Sequence, residues 1–305
     1  MTQPKVSIGL PVYNGEQYLA AALESILSQD YQDFELIISD NASDDRTAEI
    51  CRDAGARDER VKYYRAEVNC GAAPNFRRAF HLAKGTYFKW MADDDVCLPG
   101  FLRRCVETIE QAPPSVVLVY PRTEHIDAEG KVTGADKESV ESKDPRPHRR
   151  AAHVLRNVNL GCAQFGLIRS DVMRKTRLID SFIGSDYVLL AELAMLGQLW
   201  EIPEILLQKR VYPGMSNIVH KTRGQWLSWL DSSVSSRGAP LPPSIHIGLE
   251  CTKSVHRLPL ATQEKLRCHL IVPATWYVRN LRNLGGRYKQ KAKQVFGVCF
   301  LKRAV

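Results

Sequence analysis

Three consecutive carboxylates, Asp93 to Asp95, follow a mostly apolar and aromatic stretch from Tyr87 to Ala92. Such a stretch is typical of a buried strand, and acids at its end place negative charge at the carboxyl edge of a sheet, where open α/β folds bind ligands. Adjacent carboxylates repel one another, and a divalent cation relieves that repulsion. Oxygen ligands suit Mg²⁺ or Mn²⁺, which typically join one or two carboxylates to substrate phosphates. A solvated acidic turn is the alternative interpretation.

Two further loops carry polar side chains where predicted strands end. Asp40 and Asn41 follow the second predicted strand, and a carboxylate there can accept a hydrogen bond from a base or a ribose hydroxyl. The segment from Asn69 to Asn75 contains a glycine and opens a predicted helix, whose first backbone N–H groups favour anions. Because the ends of parallel strands meet at one sheet edge, we expect these loops to gather beside Asp93 to Asp95.

The elements that position these loops alternate along the first half of the chain. Hydrophobic periodicity predicts strands at 5–13, 34–39, 61–65, 86–92 and 116–121. It predicts helices at 18–28, 44–54 (capped by Ser43), 74–83 and 100–111. This alternation indicates an α/β fold with a mostly parallel sheet flanked by helices.

After residue 124 the pattern becomes less regular. It predicts a hairpin at 125–133, a flexible polar loop at 134–150, strands near 163–169, 199–202 and 206–212, and helices near 149–158, 186–196 and 225–236. A proline-rich break at 238–243 separates a predicted domain, 1–237, from a basic helical C-terminal extension, 238–305. Within that extension we predict helices at 260–284 (kinked at Pro273) and 287–301.

Composition places the chain among ordinary globular proteins, because its 305 residues are 44% hydrophobic and 25% charged. No apolar run approaches the roughly 18 residues that span a bilayer, and the N-terminus has no apolar signal region, so a cytoplasmic protein is expected. The eight cysteines show no metal-ligand spacing.

The net charge of +8 is concentrated at the C-terminus. Residues 279–303 hold eight Lys or Arg residues and no acid. They form either a solvated helix face or a contact with an anionic membrane surface, which would make the protein peripheral at the inner face of the membrane. Nucleic acid is not an expected partner.

Four segments, taken in order, resemble the family 2 glycosyltransferases, which have the GT-A fold. These segments are Ile8–Asn14, Glu35–Thr47, Asn69–Asn75 and Lys89–Pro99. A fifth, Phe182–Tyr187, resembles the acceptor-side segment of the family, with Ser185 where the family usually has Glu. The resemblance implies a GT-A domain whose 1–122 half binds a nucleotide sugar and whose 123–237 half faces the acceptor.

The resemblance also implies a role for each matching residue. Asp186 would be the catalytic base that deprotonates the acceptor hydroxyl. Asp94 and Asp95 would hold Mn²⁺ or Mg²⁺. The residues expected to bind the donor are Pro11, Tyr13, Glu16, Asp40, Asn41, Asn69, Asn75, Asp93 and Arg210. One departure concerns Tyr212, which stands where the family often has His.

The implied reaction is a metal-dependent, inverting transfer of a sugar from a nucleotide-diphosphate sugar to a hydroxyl. The acceptor would be a glycan or a lipid-linked saccharide in surface polysaccharide synthesis. Two alternatives remain. A sugar nucleotidyltransferase should have a glycine-rich basic loop, whereas residues 11–17 contain one Gly and no Lys or Arg. A non-catalytic protein on the same fold would bind nucleotide sugars, polyanions or membranes.

Overall fold

The computed structural model describes residues 3–233 and 241–301, with the side chains of all of these except 216–217 and 284–301. The strands are β1 (Val6–Val12), β2 (Phe34–Asp40), β3 (Val61–Arg65), β4 (Tyr87–Trp90), β5 (Val96–Cys97), β6 (Val116–Ile126), β7 (Val132–Ala135), β8 (Leu167–Arg169) and β9 (Gln198–Arg210). The helices are α1 (Leu19–Leu27), α2 (Thr47–Arg57), α3 (Ala72–His81), α4 (Phe101–Gln111), α5 (Pro147–Asn157), α6 (Ser170–Met173), α7 (Ser185–Leu196), α8 (Ser216–Val219), α9 (Arg223–Leu230), α10 (Pro243–Arg257) and α11 (Thr262–Leu301). A 3-10 turn spans Cys162–Phe165.

Within the described residues one sheet has the strand order β3-β2-β1-β4-β8-β6-β9-β5, and β7 pairs with β6. The strands β3, β2, β1 and β4 are mutually parallel, whereas β8 runs antiparallel to both β4 and β6. In this register Val12 lies beside Asp40, and Gly9 lies beside Trp90. The α/β class with a mostly parallel first half is confirmed, and the loops after β1, β2 and β4 emerge at one edge.

The core explains why these segments form these elements. Every residue of β1 and β2 is buried, as expected for strands covered by helices on both faces. Helix α1 buries Leu19, Leu23 and Ile26 at spacings of four and three residues. Under the sheet edge the rings of Phe88 and Trp90 pack edge to face with centroids 5.2 Å apart. The edge that carries the polar loops therefore rests on a packed aromatic layer.

Three predictions in the first two thirds of the chain were wrong. Only the end of the strand predicted near 163–169 is a strand, β8, because Cys162–Phe165 forms a 3-10 turn. Helix α2 begins at Thr47 and has Arg46 at its N-cap, because the Ser43 hydroxyl accepts a hydrogen bond from the Asn14 amide instead. The segment 134–150, predicted to be a flexible loop, contributes the buried Val140 to the core, and Ser142 bridges to β9.

The two strands predicted near 199–202 and 206–212 are one strand, β9. Pro203 interrupts the apolar pattern, but β9 absorbs it in a register shift: Ile202 faces Pro121, and Ile205 faces the next residue of β6. Likewise α11 is one helix that contains Pro273, although two helices were predicted. The helical backbone continues through Gly285 and Gly286, which lie between the two predicted helices.

The C-terminal helices pack on the second half of the sheet domain. Helices α10 and α11 contact each other, α10 contacts α7, and α11 contacts α5. The predicted boundary at 237–238 falls in 234–240, outside the described residues, as do the side chains of 284–303 in the predicted basic segment. Within the described ranges, no helix combines the length and apolar character needed to cross a bilayer.

Candidate active site

Asp40, at the end of β2, is fully buried and already has three partners. Its carboxylate accepts hydrogen bonds from the Ser43 amide at 2.9 Å and the Tyr63 hydroxyl at 2.7 Å. Arg65 Nε lies 3.3 Å from the same carboxylate. These contacts hold the turn after β2 against β3. A contact of Asp40 with a base or ribose stays a prediction, and the base or ribose would have to share the Asp40 carboxylate with these three partners.

Asn41 and Asn69 connect the loop after β2 to the loop that opens α3. The Asn41 amide nitrogen donates to Asn69 Oδ1 at 2.8 Å and to the Gly71 carbonyl at 3.1 Å, and its oxygen accepts from the Cys70 amide. Gly71 has φ +91°, and an added Cβ would lie 2.6 Å from the Asp231 backbone. The two asparagines therefore shape the loop.

Asn75 lies deeper, beneath the ends of β1 and β2. Its amide nitrogen donates to the Ser39 carbonyl at 2.8 Å and the Val12 carbonyl at 3.3 Å, and its oxygen accepts from the Ser39 hydroxyl. Because both strand ends are tied to α3 through this one amide, Asn75 sets the shape of the edge. Direct contact with a donor remains a prediction for it.

The loop after β1 supplies the more accessible predicted residues. Pro11 is buried within the strand, but the Tyr13 ring is exposed at the edge. Glu16 is exposed too, and its carboxylate accepts a hydrogen bond from the Arg46 amide at the start of α2. Tyr13 is therefore free to face a ligand, whereas Glu16 also supports the neighbouring loop.

The three carboxylates lie directly beyond β4. Asp95 is buried and accepts a hydrogen bond from the Arg210 amide at 2.9 Å, while Asp93 and Asp94 are partly exposed. A Cβ added to Gly15 would lie 2.4 Å from Asp93 Oδ2. The glycine after β1 thus leaves room for the Asp93 carboxylate beside the end of β1, which a larger residue in the sequence would not.

Burial and mutual repulsion raise the pKa values of Asp93 and Asp94. Burial and the charge of Asp94 raise the pKa of Asp93 well above its ordinary value. Burial and Asp95 raise the pKa of Asp94, and Lys209 opposes part of that shift. Among the described residues no three His, Cys, Asp or Glu side chains converge on one metal position. Any cation here would therefore complete its shell with other oxygens, such as those of a diphosphate.

Arg210, the last residue of β9, is committed to carbonyl groups. Its Nε donates to the Asp94 carbonyl at 2.9 Å, and its Nη1 donates to the carbonyls of Asp127 and Ala128 at 3.0 and 3.1 Å. The guanidinium also lies 4.3 Å from the centre of the Tyr18 ring. Arg210 thus ties the acidic loop to the β6–β7 turn. Binding of a phosphate by Arg210 remains a prediction.

Tyr212 lies at the acid cluster, where the resemblance leads us to expect a histidine. Its ring packs edge to face on Tyr18, with centroids 5.0 Å apart. A hydrogen bond between its hydroxyl and Asp94 lowers the pKa of that carboxyl. Burial and Asp94 in turn raise the pKa of the Tyr212 phenol.

Asp186 lies in the first turn of α7, after Gly184 at the N-cap. Its side chain is therefore not the helix cap. Burial raises the pKa of Asp186 to about 6, and the N–H groups of Tyr187 and Asp186 itself oppose that shift. The carboxylate lies against Gly161, where an added Cβ would be 3.0 Å from Asp186 Oδ2.

Lys209 links the acid cluster to Asp186, and sequence reasoning missed it. Burial alone would lower its pKa, but Asp95, Asp94 and Asp186 raise it, and the net result is a raised pKa. Lys209 lowers the pKa of Asp186 and of Asp94 in return. The only sequence signal was a lysine beside Arg210 after the apolar run Ile205–Leu207.

Glu138 is a second residue that the sequence analysis did not single out. Its carboxylate accepts hydrogen bonds from the amides of Asn159 at 2.8 Å, Leu160 at 2.5 Å and Gly161. Its negative charge also contributes to the raised pKa of Asp186. Glu138 therefore holds the turn that lies against the Asp186 carboxylate.

The C-terminal helices support the segment around Asp186 from behind. The Phe182 ring packs on His246 of α10, with centroids 5.0 Å apart. Gly184 has φ +85°, and an added Cβ would lie 2.3 Å from Ile247 Cδ1. On the other side of Asp186, Tyr187 packs against Trp276 of α11.

A buried ion cluster joins the same helices. Glu192 of α7 is fully buried, bonds Arg177 Nε at 3.1 Å and accepts from the Ser254 hydroxyl at 2.5 Å. Arg257 and Glu250 of α10 complete the cluster through contacts with Glu192 and Arg177. Because removing one member would leave a buried charge uncompensated, the cluster fixes the position of α10 against α7.

Residues 7–176, more than half the chain, match the model of glycosyl transferase family 2. An uncharacterized glycosyltransferase of Rickettsia typhi is 28% identical over 211 residues, which cover 68% of this chain and 64% of that protein. The chain thus spans slightly under two thirds of this relative. An uncharacterized glycosyltransferase of Methanocaldococcus jannaschii is 25% identical over 231 residues, covering 74% of this chain and 77% of that protein.

Solved structures share the fold at low sequence identity. Staphylococcus aureus TarS, solved with UDP-GlcNAc, superposes with a TM-score of 0.62 at 14% identity, covering 90% of this chain and 73% of that chain. The mannosyltransferase PcManGT of Pyrobaculum calidifontis, solved with GDP-Man and Mn²⁺, gives 0.53 at 14% identity, covering 98% and 81%. The fold is therefore the GT-A fold, as the sequence predicted. The chain belongs to glycosyl transferase family 2.

Proposed function

We propose that this glycosyltransferase is metal-dependent and inverting, and that it moves a sugar from a nucleotide-diphosphate sugar to a hydroxyl group. The observation that supports this most is the position of Lys209. Lys209 directly precedes Arg210, whose amide donates to Asp95, and the charges of Asp95, Asp94 and Asp186 all raise the pKa of Lys209. The carboxylates of Asp94 and Asp95, which could bind a metal diphosphate, therefore lie in the same buried region as Asp186, which could act as a base.

The donor side fits a divalent cation. Asp93 and Asp94 are partly exposed, and the three side chains offer only oxygen ligands. A divalent cation would relieve the electrostatic repulsion between these carboxylates. Asp94 and Asp95 would hold Mn²⁺ or Mg²⁺, with Asp93 beside them. When bound, the cation would neutralise charge on the leaving diphosphate. The Mn²⁺ in the PcManGT structure supports this choice.

The acceptor side provides one base. Asp186 would accept the proton of the attacking hydroxyl, for which a pKa near 6 leaves it ionised at neutral pH. A single base opposite the leaving group favours in-line displacement with inversion at the anomeric carbon. The acceptor would be a glycan or lipid-linked saccharide in surface polysaccharide synthesis.

The functional division of the chain is part of the same proposal. Residues 1–122 would bind the donor, residues 123–237 would face the acceptor, and residues 238–305 would form the helical extension. On the donor side, Pro11, Tyr13 and Glu16 would line the base pocket. A bound nucleotide sugar in TarS and in PcManGT supports a nucleotide-sugar donor here.

One experiment tests the donor half of the proposal. Thermal unfolding is followed with UDP, GDP, dTDP, CDP and ADP, each with Mn²⁺, Mg²⁺ or EDTA. A diphosphate at about 100 times its Kd should stabilise the fold by about 2.7 kcal/mol, but only with metal. Asp94→Ala should abolish this shift. No shift with any diphosphate and metal would reject the transferase proposal in favour of a protein that binds polyanions without sugar transfer.

A further inference from the structure

Helix α11 has an inner apolar face that packs on the protein. Cys268, Val272 and Trp276 follow one another at intervals of four residues, and all three are buried. The Trp276 indole donates to the Ser244 carbonyl of α10 at 2.7 Å. This face accounts for the attachment of α11, so the rest of its circumference should be polar if it faced only water.

The opposite face of α11 is apolar as well. Leu266, Leu270, Val278 and Leu281 have exposed fractions of 64%, 65%, 46% and 67%. With the exposed Ala274 they follow spacings of four, four, four and three residues, which place them on one side of a helix. They are offset by two residues from the buried set, so they point away from the protein. We name this set the outer stripe.

Charge restricts what can cover the outer stripe. Helix α11 contains one acid, Glu264, which pairs with Arg267 at 2.6 Å, and from Lys265 to Val305 the sequence contains ten Lys or Arg residues and no Asp or Glu. Arg267 and Arg282, which lie next to stripe residues, are exposed. A second copy packed through this helix would bring like charges together, whereas an anionic surface would neutralise them. An apolar stripe with basic neighbours is the pattern of a helix that lies in a membrane interface.

We propose that α11 docks lengthwise on an anionic lipid bilayer, with the outer stripe at the acyl boundary and Arg267 and Arg282 at the head groups. The docking itself does not depend on the proposed sugar transfer. One consequence does rest on it: Tyr187, next to Asp186, packs against Trp276 of α11. Docking would therefore hold the acceptor side of the site near the membrane, where a lipid-linked acceptor is found.

The test measures flotation of the full chain with vesicles of phosphatidylcholine, with and without phosphatidylglycerol. We expect binding only to the anionic vesicles, and weaker binding as salt rises. A triple variant, Leu266→Ser, Leu270→Ser and Leu281→Ser, should weaken binding at least about tenfold. Arg267→Gln and Arg282→Gln should each weaken it on the order of fivefold.

The matched control changes exposed apolar residues away from α11. Val68→Ser with Val132→Ser alters side chains that are 65% and 51% exposed and should leave vesicle binding unchanged. The donor-induced thermal shift is measured on every preparation, so a failure of donor binding is distinguished from a failure of docking.

Two results would overturn the docking proposal. In the first, the wild type does not float with anionic vesicles, or the triple variant floats as well as the wild type does. In the second, light scattering shows that the triple variant converts a dimer to a monomer without changing vesicle binding, which would assign the outer stripe to a second copy.

Discussion

The two sides of the candidate site are built differently. On the proposed donor side, loops after β1, β2 and β4 emerge at one edge, and asparagine side chains tie the ends of β1 and β2 to α3 and to the loop before it. On the acceptor side, Asp186 depends on Glu138, Lys209 and two C-terminal helices, which come from distant parts of the chain. The loops after β1 and β2 are thus held mainly by neighbouring strand ends, whereas the surroundings of Asp186 depend on packing between distant segments. The acid cluster combines both, because Asp93 to Asp95 follow β4 but Arg210 of β9 bonds Asp95 and the Asp94 carbonyl.

This difference predicts which changes affect which function. Changes at the sheet edge should alter donor and metal binding, and changes at α7 and α10 should alter turnover or stability with donor binding intact. The following experiments probe that separation.

The largest effect is expected from Asp186→Asn. The amide keeps the shape but cannot accept the hydroxyl proton, so kcat should fall by about 10²–10⁴. The donor-induced thermal shift should stay as in the wild type. Loss of the donor shift together with turnover would place Asp186 on the donor side and contradict the separation.

Gly184→Ala tests the support of α7 by α10. The new Cβ would lie 2.3 Å from Ile247 Cδ1 at φ +85°, so we expect a loss of about 1–3 kcal/mol in the free energy of unfolding. Gly134→Ala, with nothing within 4 Å of the added Cβ, is the matched control. Denaturant titration measures both. Ile247→Ala should lower the free energy of unfolding less in the Gly184→Ala background than in the wild type. Equal losses in the two backgrounds would contradict a contact between residue 184 and Ile247.

The pH profile tests the environment of the base. Because burial raises the pKa of Asp186 to about 6, kcat/KM should fall roughly tenfold per unit as pH drops below that value. Removing the positive charge with Lys209→Met should move the inflection to higher pH, since Lys209 lowers the pKa of Asp186. An unchanged inflection would show that Asp186 is not the titrating group. Glu138 and Tyr187 also lie beside it, so Glu138→Gln, which removes an adjacent negative charge, should shift the inflection the opposite way.

Gly15→Ala perturbs the donor side. The added Cβ would meet Asp93 Oδ2 at 2.4 Å and Val12 Cγ2 at 2.7 Å, so the carboxylate must move. We expect the metal-dependent affinity for the diphosphate to fall about tenfold, an effect comparable to the loss of a well-placed charged hydrogen bond. Isothermal titration with Gly134→Ala as the control measures it, and unaltered affinity would remove Asp93 from the donor site.

The smallest effect is expected from Tyr212→Phe. This change keeps the ring on Tyr18 and removes the hydroxyl that bonds Asp94, so donor affinity should change by about threefold. Tyr212→His, which restores the residue usual in the family, is the companion variant. A loss of more than a hundredfold in Tyr212→Phe would show that the phenol itself carries part of the chemistry.

The same contrast explains what could be read from the sequence. The placement of the proposed donor loops was predictable because Asp40 and Asp93 each come at the end of a strand with a clear apolar pattern, and parallel strands bring their ends together. Asp186 was identified only through resemblance to the family. Nothing in the local pattern reveals that the charge of Lys209 would influence the pKa of Asp186, because the position of Lys209 depends on the pairing of β9 with β6.

The errors have a common physical cause. Segment 134–150 has a polar composition, yet Val140 is buried. The Val140 N–H donates a hydrogen bond to the Tyr120 hydroxyl, and Ser142 bridges to β9. The two strands predicted around Pro203 are one, because a register shift accommodates the proline within a paired strand. In both places tertiary partners override local preference.

The most direct measurement of the central claim compares Asp94→Asn and Asp186→Asn on the same preparations. Two quantities are recorded: the metal-dependent thermal shift with the matching nucleoside diphosphate, and release of that diphosphate from its nucleotide sugar with a panel of hydroxyl acceptors. We predict that Asp94→Asn loses both, while Asp186→Asn keeps the shift and loses release. Full release by Asp186→Asn, or an undiminished metal-dependent shift in Asp94→Asn, would contradict a site with a donor-binding acid cluster and a separate base.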